Sequence, residues 1–296
     1  MCGIDGEIES SMNLELRESL QAALERKIRD LLLVSGGCIS EAWQVRTAEG
    51  SVFVKLSKGL LPGMLKAEAE GLNELAKSDA IRVPEVIGLT KDFLILEFIP
   101  KAINPPTDFW PILGRQLAYL HAYCQKIPGF YKDNFIGRNP QKNNCIGEWK
   151  EFFWQRRLLP QWEMAVQRGM PNTRIKLLWH KLESLWPAPL EGSSLRVSLL
   201  HGDLWSGNVL VTTNGEPVVI DPAVYYGDAE ADLSLTYLFG GFPPEFYQAY
   251  HEIRPKSEGF ARRQNVYQLY HLLNHLNLFG KSYAHSVESC LREITH

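Results

Sequence analysis

The amino-acid sequence predicts an α+β fold of two lobes, a small antiparallel-sheet N-lobe and a larger, mainly helical C-lobe. Short runs rich in β-forming residues dominate the first 99 residues, with one helical segment inserted among them. After Pro100 the apolar residues recur mainly at helical spacing. The length of 296 residues also suits two domains. We therefore expect the N-lobe over 1–99 and the C-lobe over 100–296.

The N-lobe starts with apolar residues that recur every three to four positions from Asn13 to Leu31, which predicts a helix. A strand, a Gly-bearing turn at 48–50 and a second strand then predict a hairpin. The remaining predicted elements are one helix and two strands, over 64–76, 83–88 and 93–99. Together they describe an antiparallel sheet with one inserted helix.

The C-lobe is expected to be helical, with strand-like pieces around one polar turn. Residues 127–147 form a long segment rich in Gly, Pro and Asn, and loops of this length are usually functional or disordered. The predicted helices cover most of the rest, over 107–124, 149–167, 174–185 and 229–295, the last with a break at 240–244. The strand-like pieces are 199–211 and 218–221.

Composition excludes several classes of function. The net charge of −3 argues against a general nucleic-acid binder. No run approaches the roughly 20 apolar residues of a membrane helix, and the acidic N-terminus does not resemble a secretory signal. The five cysteines form no C-x-x-C pair, which fits a reducing compartment. We expect a cytoplasmic enzyme with neither a nucleic-acid nor a membrane partner.

The stretch from His201 to Leu210 carries polar residues at the spacing found in phosphoryl-transfer enzymes. Asp203 precedes Asn208 by five positions, as in the kinase pattern H-R-D-x-x-x-x-N, and Asp221 follows a short apolar strand. Asp203 is the expected catalytic base for the attacking hydroxyl. Asn208 and Asp221 are the expected oxygen ligands of Mg²⁺ bound to ATP. Glycine in place of the arginine of protein kinases indicates a small-molecule kinase of the aminoglycoside-phosphotransferase type.

Lys55, late in a predicted strand, is expected to contact the ATP phosphates. A glutamate on the next helix would pair with this lysine and hold it in place. Glu68 is the preferred partner, because the order Glu-Ala-x-x-Leu resembles the corresponding helix of such kinases. Glu70, expected on the solvent side, is the competing candidate.

Two further segments are expected to contact the nucleotide. The double glycine ending at Gly37, followed by Cys38, lies where an ATP-covering loop is expected, although it serves equally as a helix stop. The segment Glu97, Phe98 and Ile99 leaves the most apolar strand at the inter-lobe hinge. Its backbone groups are expected to meet the adenine edge.

With these residues in place, the sequence resembles the fructosamine kinases, also called ketosamine-3-kinases, from about Gly36 to Gly280. The most specific matching words are Leu-Leu-His-Gly-Asp-Leu-Trp-Ser-Gly-Asn at 199–208, Phe-Gly-Gly-Phe-Pro at 239–243 and Asn-His-Leu-Asn-Leu-Phe-Gly at 274–280. Others are Asp-Asn-Phe-Ile-Gly at 133–137 and Pro-Gln at 140–141. The resemblance implies a protein-kinase-like fold.

The resemblance also implies a reaction, in which ATP phosphorylates the 3-hydroxyl of a ketoamine formed by a sugar and a lysine, free or on a protein. Phosphate at that carbon leaves more readily than hydroxide, so the amine is released and the protein is deglycated. Ribulosamine, erythrulosamine and fructosamine are the substrates that the resemblance implies.

Four residues are candidates for contact with this substrate. Trp205 offers a flat face to a sugar, or packs the catalytic loop onto the lobe. Asp133 and Asn134 offer polar groups to sugar hydroxyls, or cap their own loop. His275 either faces the substrate or is a core histidine.

Cys38 supports a separate hypothesis, because a phosphate-binding loop near Lys55 lowers the pKa of a thiol and increases its reactivity. Oxidants are then expected to inactivate the enzyme reversibly, with a Cys38–Cys38 link between two chains as one route. The alternative role of Cys38 is a small apolar filler, and the chain is otherwise expected to be a monomer. If the Cys38→Ser protein kept the same peroxide sensitivity, the redox hypothesis would be wrong.

Two alternatives stay open at this point. One is a kinase for another small hydroxyl substrate, such as an aminoglycoside, choline or homoserine. Basic residues outnumber acidic ones in 127–147, which weighs against a polycationic aminoglycoside. The other alternative is a non-catalytic nucleotide-binding pseudokinase, although none of the five expected polar groups is missing.

Overall fold

The computed structural model describes residues 16–34, 41–194 and 196–296. The chain folds as two compact units. One contains Met1–Ala69 and Pro84–Ile99, and the other contains Glu70–Val83 and Pro100–His296. Each unit has hydrophobic clusters of its own.

The first unit is built on an antiparallel sheet of five strands in the spatial order β1–β2–β3–β5–β4. The strands are β1 (Ile28–Val34), β2 (Ala42–Thr47), β3 (Ser51–Leu56), β4 (Val86–Leu89) and β5 (Phe93–Glu97). Residues 16–24 form helix α1, and helix α2 (Met64–Ala76) follows β3 along the chain. Val45, Val54 and Ile95 bury their side chains in the core of this unit with Leu20 of α1. The predicted hairpin and sheet are thus present.

The helix predicted to reach Leu31 ends instead at residue 24. Glu25 has a φ of 53°, which a right-handed helix cannot include. The chain then enters β1, which pairs with β2 and places Leu31 opposite Val45. Residues 31–34 are all apolar, so their spacing is compatible with a helix or a strand, and the partner strand decides in favour of the strand.

The second unit is mainly helical. After α2 its helices are α3 (Phe109–Leu120), α4 (Trp149–Phe153), α5 (Leu159–Gln167), α6 (Thr173–Leu185), α7 (Ala229–Thr236), α8 (Pro244–Ile253), α9 (Phe260–Phe279) and α10 (Ala284–Thr295). A π-helical turn, Trp154–Leu158, separates α4 from α5, so the single helix predicted over 149–167 is interrupted. None of the helices in the described ranges is both long and apolar enough to cross a bilayer.

Short strands in the second unit support its polar loops. β6 (Cys124–Gln125), β9 (Val197–Leu200) and β12 (Tyr225–Gly227) form a three-stranded sheet in the order β12–β9–β6. Two hairpins pair β7 (Asn134–Ile136) with β8 (Asn139–Gln141), and β10 (Val209–Val211) with β11 (Pro217–Val219). The first hairpin gives regular structure to part of the predicted long loop.

The sequence placed residues 70–83 in the first lobe, whereas they group with the second unit. Leu75 and Ile81 pack in the same cluster as Leu113 and Leu117 of α3. The boundary therefore falls inside α2, between Ala69 and Glu70. The division of one helix between two units is not visible from its own periodicity.

Candidate active site

The loop that follows β9 is anchored by a buried carboxylate. Asp232 on α7 accepts hydrogen bonds from the backbone N–H of His201 at 2.6 Å and of Gly202 at 2.8 Å. Burial disfavours the charged form of Asp232, but the hydrogen bond from His121 and the adjacent donors outweigh it, and its pKa is lowered. A charged anchor thus fixes the start of the loop that carries Asp203.

The imidazole of His201 joins this loop to the segment that carries Asp221. Its Nε2 donates to the carbonyl of Ile220 at 2.9 Å, and its Nδ1 accepts from the N–H of Asp203 at 3.2 Å. Ala223 N–H also donates to the carbonyl of His201 at 2.9 Å. Burial lowers the pKa of His201, so the neutral ring that these bonds require is the stable form.

Close backbone approach explains why glycine occupies position 202. Gly202 has a φ of 82°, in the left-handed region that residues with a side chain avoid. A Cβ at this position would lie 2.0 Å from the carbonyl oxygen of Ala223. The glycine noted in the sequence as a departure from protein kinases is therefore a packing requirement.

Asp203 and Asn208 are in direct contact. The Asn208 amide donates from Nδ2 to the carbonyl of Asp203 at 2.8 Å and to its Oδ2 at 3.3 Å. Burial, and after it the nearby charge of Asp221, raise the pKa of Asp203 to about 7, against the opposing effect of the Asn208 hydrogen bond. The carboxyl thus has a pKa suited to proton transfer near neutral pH.

Asp221 and Asn208 provide oxygen atoms suited to a divalent cation. The Nδ2 of Asn208 is used by Asp203, which leaves the amide oxygen as the potential ligand atom. A cation here would also offset the repulsion between Asp203 and Asp221 that raises the Asp203 pKa. Among the described residues, no cluster of three or more His, Cys, Asp or Glu side chains could hold a metal. The donor set of one carboxylate and one amide oxygen fits a hard divalent cation, which takes oxygen ligands.

In the first unit, Lys55 on β3 pairs with Glu68 on α2. The Nζ and Oε1 atoms are 2.7 Å apart, and both side chains are largely buried. Glu70 instead forms an ion pair with Lys132 at 2.7 Å. The geometry thus selects Glu68 as the partner of Lys55.

Of the remaining residues expected to contact the nucleotide, only those at 97–99 lie within the described ranges. Glu97 is the last residue of β5, and its N–H donates to the carbonyl of Glu85 at 2.9 Å. Phe98 and Ile99 follow, with the side chain of Ile99 buried. Gly37 and Cys38 lie outside the described residues.

The two polar candidates of the 127–147 segment have partners within the protein. Asn134 is buried, its Nδ2 donates to the carbonyl of Val224 at 2.7 Å, and its Oδ1 accepts from Gln141 and Asn143. Asp133 is exposed, but its carboxylate accepts from the N–H of Asn143 and pairs with Lys142. These contacts favour the structural interpretation of both residues over substrate contact.

Trp205 and His275 also have close neighbours in the protein. The half-buried indole of Trp205 covers Gly207, where a Cβ would lie 2.3 Å from the ring. His275 donates from Nδ1 to the carbonyl of His271 at 2.9 Å, and its ring stacks near Phe239, with centroids 4.4 Å apart. Burial lowers the pKa of His275. The packing interpretation therefore accounts for one face of Trp205 and for much of His275.

His121 is a supporting residue to which the sequence analysis gave no role. This fully buried side chain follows α3, its Nε2 lies 3.4 Å from Asp232, and its Nδ1 lies 2.8 Å from the Tyr250 hydroxyl. A histidine among the apolar residues of a helix face was the available signal. The partners of His121 lie 111 and 129 positions away, so the sequence pattern does not identify them.

Comparisons with known proteins show to which family the chain belongs. The profile of the fructosamine kinase family matches residues 12–296. The chain is 40% identical over 272 residues to a chloroplastic protein-ribulosamine 3-kinase of Oryza sativa subsp. indica, covering 90% of this chain and 78% of that protein. It is 39% identical over 276 residues to a probable ketoamine kinase of Synechocystis sp., covering 90% of both.

Solved structures agree with the sequence comparison. The crystal structure of a putative fructosamine-3-kinase from Thermobifida fusca matches with a TM-score of 0.84 and 32% identity, covering 94% of this chain and 97% of that chain. Aminoglycoside phosphotransferases share the fold, which is protein-kinase-like. The two-lobed α+β fold predicted from the sequence is thereby confirmed, and the chain is a phosphotransferase acting on a hydroxyl group that belongs to the fructosamine kinase family.

Proposed function

We propose that the chain transfers the γ-phosphoryl group of ATP to the 3-hydroxyl of a ketosamine, a ribulosamine, erythrulosamine or fructosamine adduct of free or protein-bound lysine. Family membership and the names of the relatives support this substrate class. The observation that carries the chemistry is the contact between Asp203 and Asn208, on a loop hydrogen-bonded to the segment of Asp221.

In the proposed reaction, Asp203 accepts the proton of the 3-hydroxyl while the oxygen of that hydroxyl attacks the γ-phosphorus. A new P–O bond forms as the bond to the departing ADP oxygen breaks. Burial is the larger cause of the raised Asp203 pKa and persists when a cation is bound at Asp221. This supports the role, since a base acts best when its pKa lies near the working pH. The phosphorylated carbon then loses phosphate, the amine is released, and the protein is repaired.

Asn208 and Asp221 are proposed to hold Mg²⁺. When bound, this cation would neutralise charge on the ATP phosphates. Lys55 is proposed to contact those phosphates, and its 2.7 Å ion pair with Glu68 supports the assignment because it fixes the ammonium group. The backbone of 97–99 as the adenine contact, and the loop of Gly37 and Cys38, rest on the sequence alone.

The substrate side of the proposal rests mainly on Trp205. Trp205 lies two residues after Asp203, and its indole is proposed to offer a flat face to the sugar near the base. A cytoplasmic location, a monomeric state and a redox-linked dimer through Cys38 remain parts of the proposal that rest on the sequence.

Phosphorylation of ribuloselysine, with and without the Asp203→Asn substitution, tests this function. We expect the wild-type protein to consume ATP and to form a product phosphorylated at C3, identified by ³¹P NMR. The Asp203→Asn protein should lose 10²- to 10⁴-fold in kcat, since that is the usual effect of removing a general base. Glu216→Gln is the matched control, because Glu216 is exposed on the β10–β11 turn and pairs with Arg82.

The same assay with erythrulosamine and fructosamine, free and on a glycated protein, ranks the acceptors. Equal turnover by the Asp203→Asn and wild-type proteins would exclude Asp203 as the base. Turnover of an aminoglycoside, choline or homoserine in the absence of any ketosamine turnover would replace the proposed substrate class.

A further inference from the structure

Arg157 is a fully buried cation whose partners are neutral groups. Its Nη1 donates to the carbonyl of Lys142 at 2.6 Å, and its Nη2 donates to Oδ1 of Asn143 at 2.7 Å. The guanidinium carbon lies 3.9 Å from the ring centroid of Tyr225. The ion pairs formed within the described ranges do not include Arg157. Burying a charge carries a large desolvation penalty. The groups that offset this penalty for Arg157 are amide oxygens, of the backbone and of Asn143.

The π-helical turn Trp154–Leu158 carries this arginine between α4 and α5. Such turns are rare and occur often at functional sites. Arg156, the preceding residue, remains partly exposed and donates from Nε to the carbonyl of Asn144 at 3.3 Å. Two consecutive arginines on one turn therefore differ sharply in burial.

A short chain of amide hydrogen bonds runs from Arg157 to the segment after Asp221. Asn143, held by Arg157, donates from Nδ2 to Oδ1 of Asn134 at 2.8 Å. Asn134 in turn donates to the carbonyl of Val224 at 2.7 Å. Gln141 donates to the same Asn134 oxygen and, at 3.1 Å, to the backbone carbonyl of Ala223. All of these side chains are buried.

The backbone that these amides hold lies next to a strained residue. Asp221 has a φ of 55°, a conformation that costs a residue with a side chain about 1–2 kcal/mol. Such a conformation persists only where the surrounding structure enforces it. The hydrogen bonds to the carbonyls of 223–224 provide that enforcement from one side.

We propose that Arg157 is a positioning residue, which locks Asn143 by charge-assisted hydrogen bonds and so fixes the backbone after Asp221. The cation acts through Asn143 and Asn134 and touches neither substrate nor nucleotide. The catalytic consequence rests on the proposed function, in which Asp221 holds the metal. The conformational consequence does not.

Three variants test this proposal, Arg157→Met, Arg157→Lys and the matched control Arg156→Met. Hydrogen–deuterium exchange of the amides in 223–227 reports the backbone directly, since Pro222 has no N–H. We expect Arg157→Met to raise exchange there at least tenfold and to lower kcat at least tenfold, with the KM for ATP changed less than threefold. Arg156→Met should leave all three quantities unchanged, because the hydrogen bond of its side chain goes to the Asn144 carbonyl and not to the buried amides of Asn143 and Asn134.

A folded Arg157→Met protein with wild-type exchange in 223–227 would overturn the proposal, whatever its activity. If that variant does not fold, Arg157→Lys decides, because lysine keeps the charge but lacks the planar fork that reaches two acceptors at once. Increased exchange in Arg157→Lys supports the proposal, and wild-type exchange overturns it. A wild-type protein inactive on every ketosamine would refute the proposed function and leave the exchange result standing.

Discussion

Replacing Gly202 by alanine should disrupt the candidate active site more than any other single methyl group added to its loops. The position has a φ of 82°, and the added Cβ would lie 2.0 Å from the Ala223 carbonyl oxygen. Real Cβ atoms do not approach another atom within 3.0 Å, so the two segments must separate by about 1 Å. That movement pulls the N–H of Ala223 away from the carbonyl of His201, now 2.9 Å distant.

The magnitude follows from two separate effects. A left-handed conformation costs a residue with a side chain about 1–2 kcal/mol. A lost buried hydrogen bond costs about 1–3 kcal/mol if its groups stay unsatisfied. We expect the Gly202→Ala protein to be less stable by roughly 2–5 kcal/mol, or about 4–10 °C in Tm for a chain of this size. A displacement of about 1 Å at the catalytic loop should also lower kcat about 100-fold.

Gly169→Ala is the matched control for this experiment. Gly169 has a φ of 64°, but a Cβ there would meet nothing within 4 Å. It should therefore lose about 1–2 kcal/mol from backbone strain alone and keep its kcat. Calorimetric unfolding and steady-state turnover measure both quantities. Equal losses of stability in the two variants, with kcat retained in Gly202→Ala, would refute the steric argument.

Two further predictions concern the first unit and the dependence of stability on pH. Glu68→Gln should lower kcat/KM for ATP about tenfold, because a neutral amide replaces the charge that holds Lys55 at 2.7 Å. Glu70→Gln, which acts on the pair with Lys132, should change kcat/KM less than twofold. Equal effects of the two substitutions in steady-state kinetics would contradict this assignment. Burial lowers the pKa of His271 to about 3, so below the unfolded value of 6.5 the unfolded chain binds a proton that the folded chain does not, and stability is lost as the pH falls. At pH 5 this loss of stability is about 2 kcal/mol relative to pH 7.5. Urea unfolding of the His271→Gln protein should show a pH dependence of stability that is smaller by that amount. An identical dependence in the wild-type and His271→Gln proteins would exclude His271 as its source.

Local patterns in the sequence were sufficient for much of the fold. The hairpin of β2 and β3 follows from two β-rich runs around a Gly-bearing turn, and both strands appear. The spacing of Asp203, Asn208 and Asp221 was readable because a catalytic loop and the strand after it are short. The pairing of Lys55 with Glu68 was also accessible, since strand and helix are neighbours along the chain.

Long-range contacts limited the rest. Asn134 resembled a substrate ligand in the sequence, but its principal acceptor is the carbonyl of Val224, 90 positions away. The burial of Arg157 depends on a π-helical turn, which the periodicity of apolar residues does not predict. The strand at Ile28–Val34 was read as helix because its pairing partner, and not its own composition, determines its conformation.

The buried amides of Asn134, Gln141 and Asn143 also restrict how this sequence can change over evolutionary time. Each amide both donates and accepts a hydrogen bond, so a change to aspartate or glutamate replaces a donor by a second acceptor. Such a change places two oxygens face to face in a dry environment, where the repulsion has no solvent to relieve it. Drift at one of these positions should therefore require a simultaneous change at another, and the three should be inherited as a block.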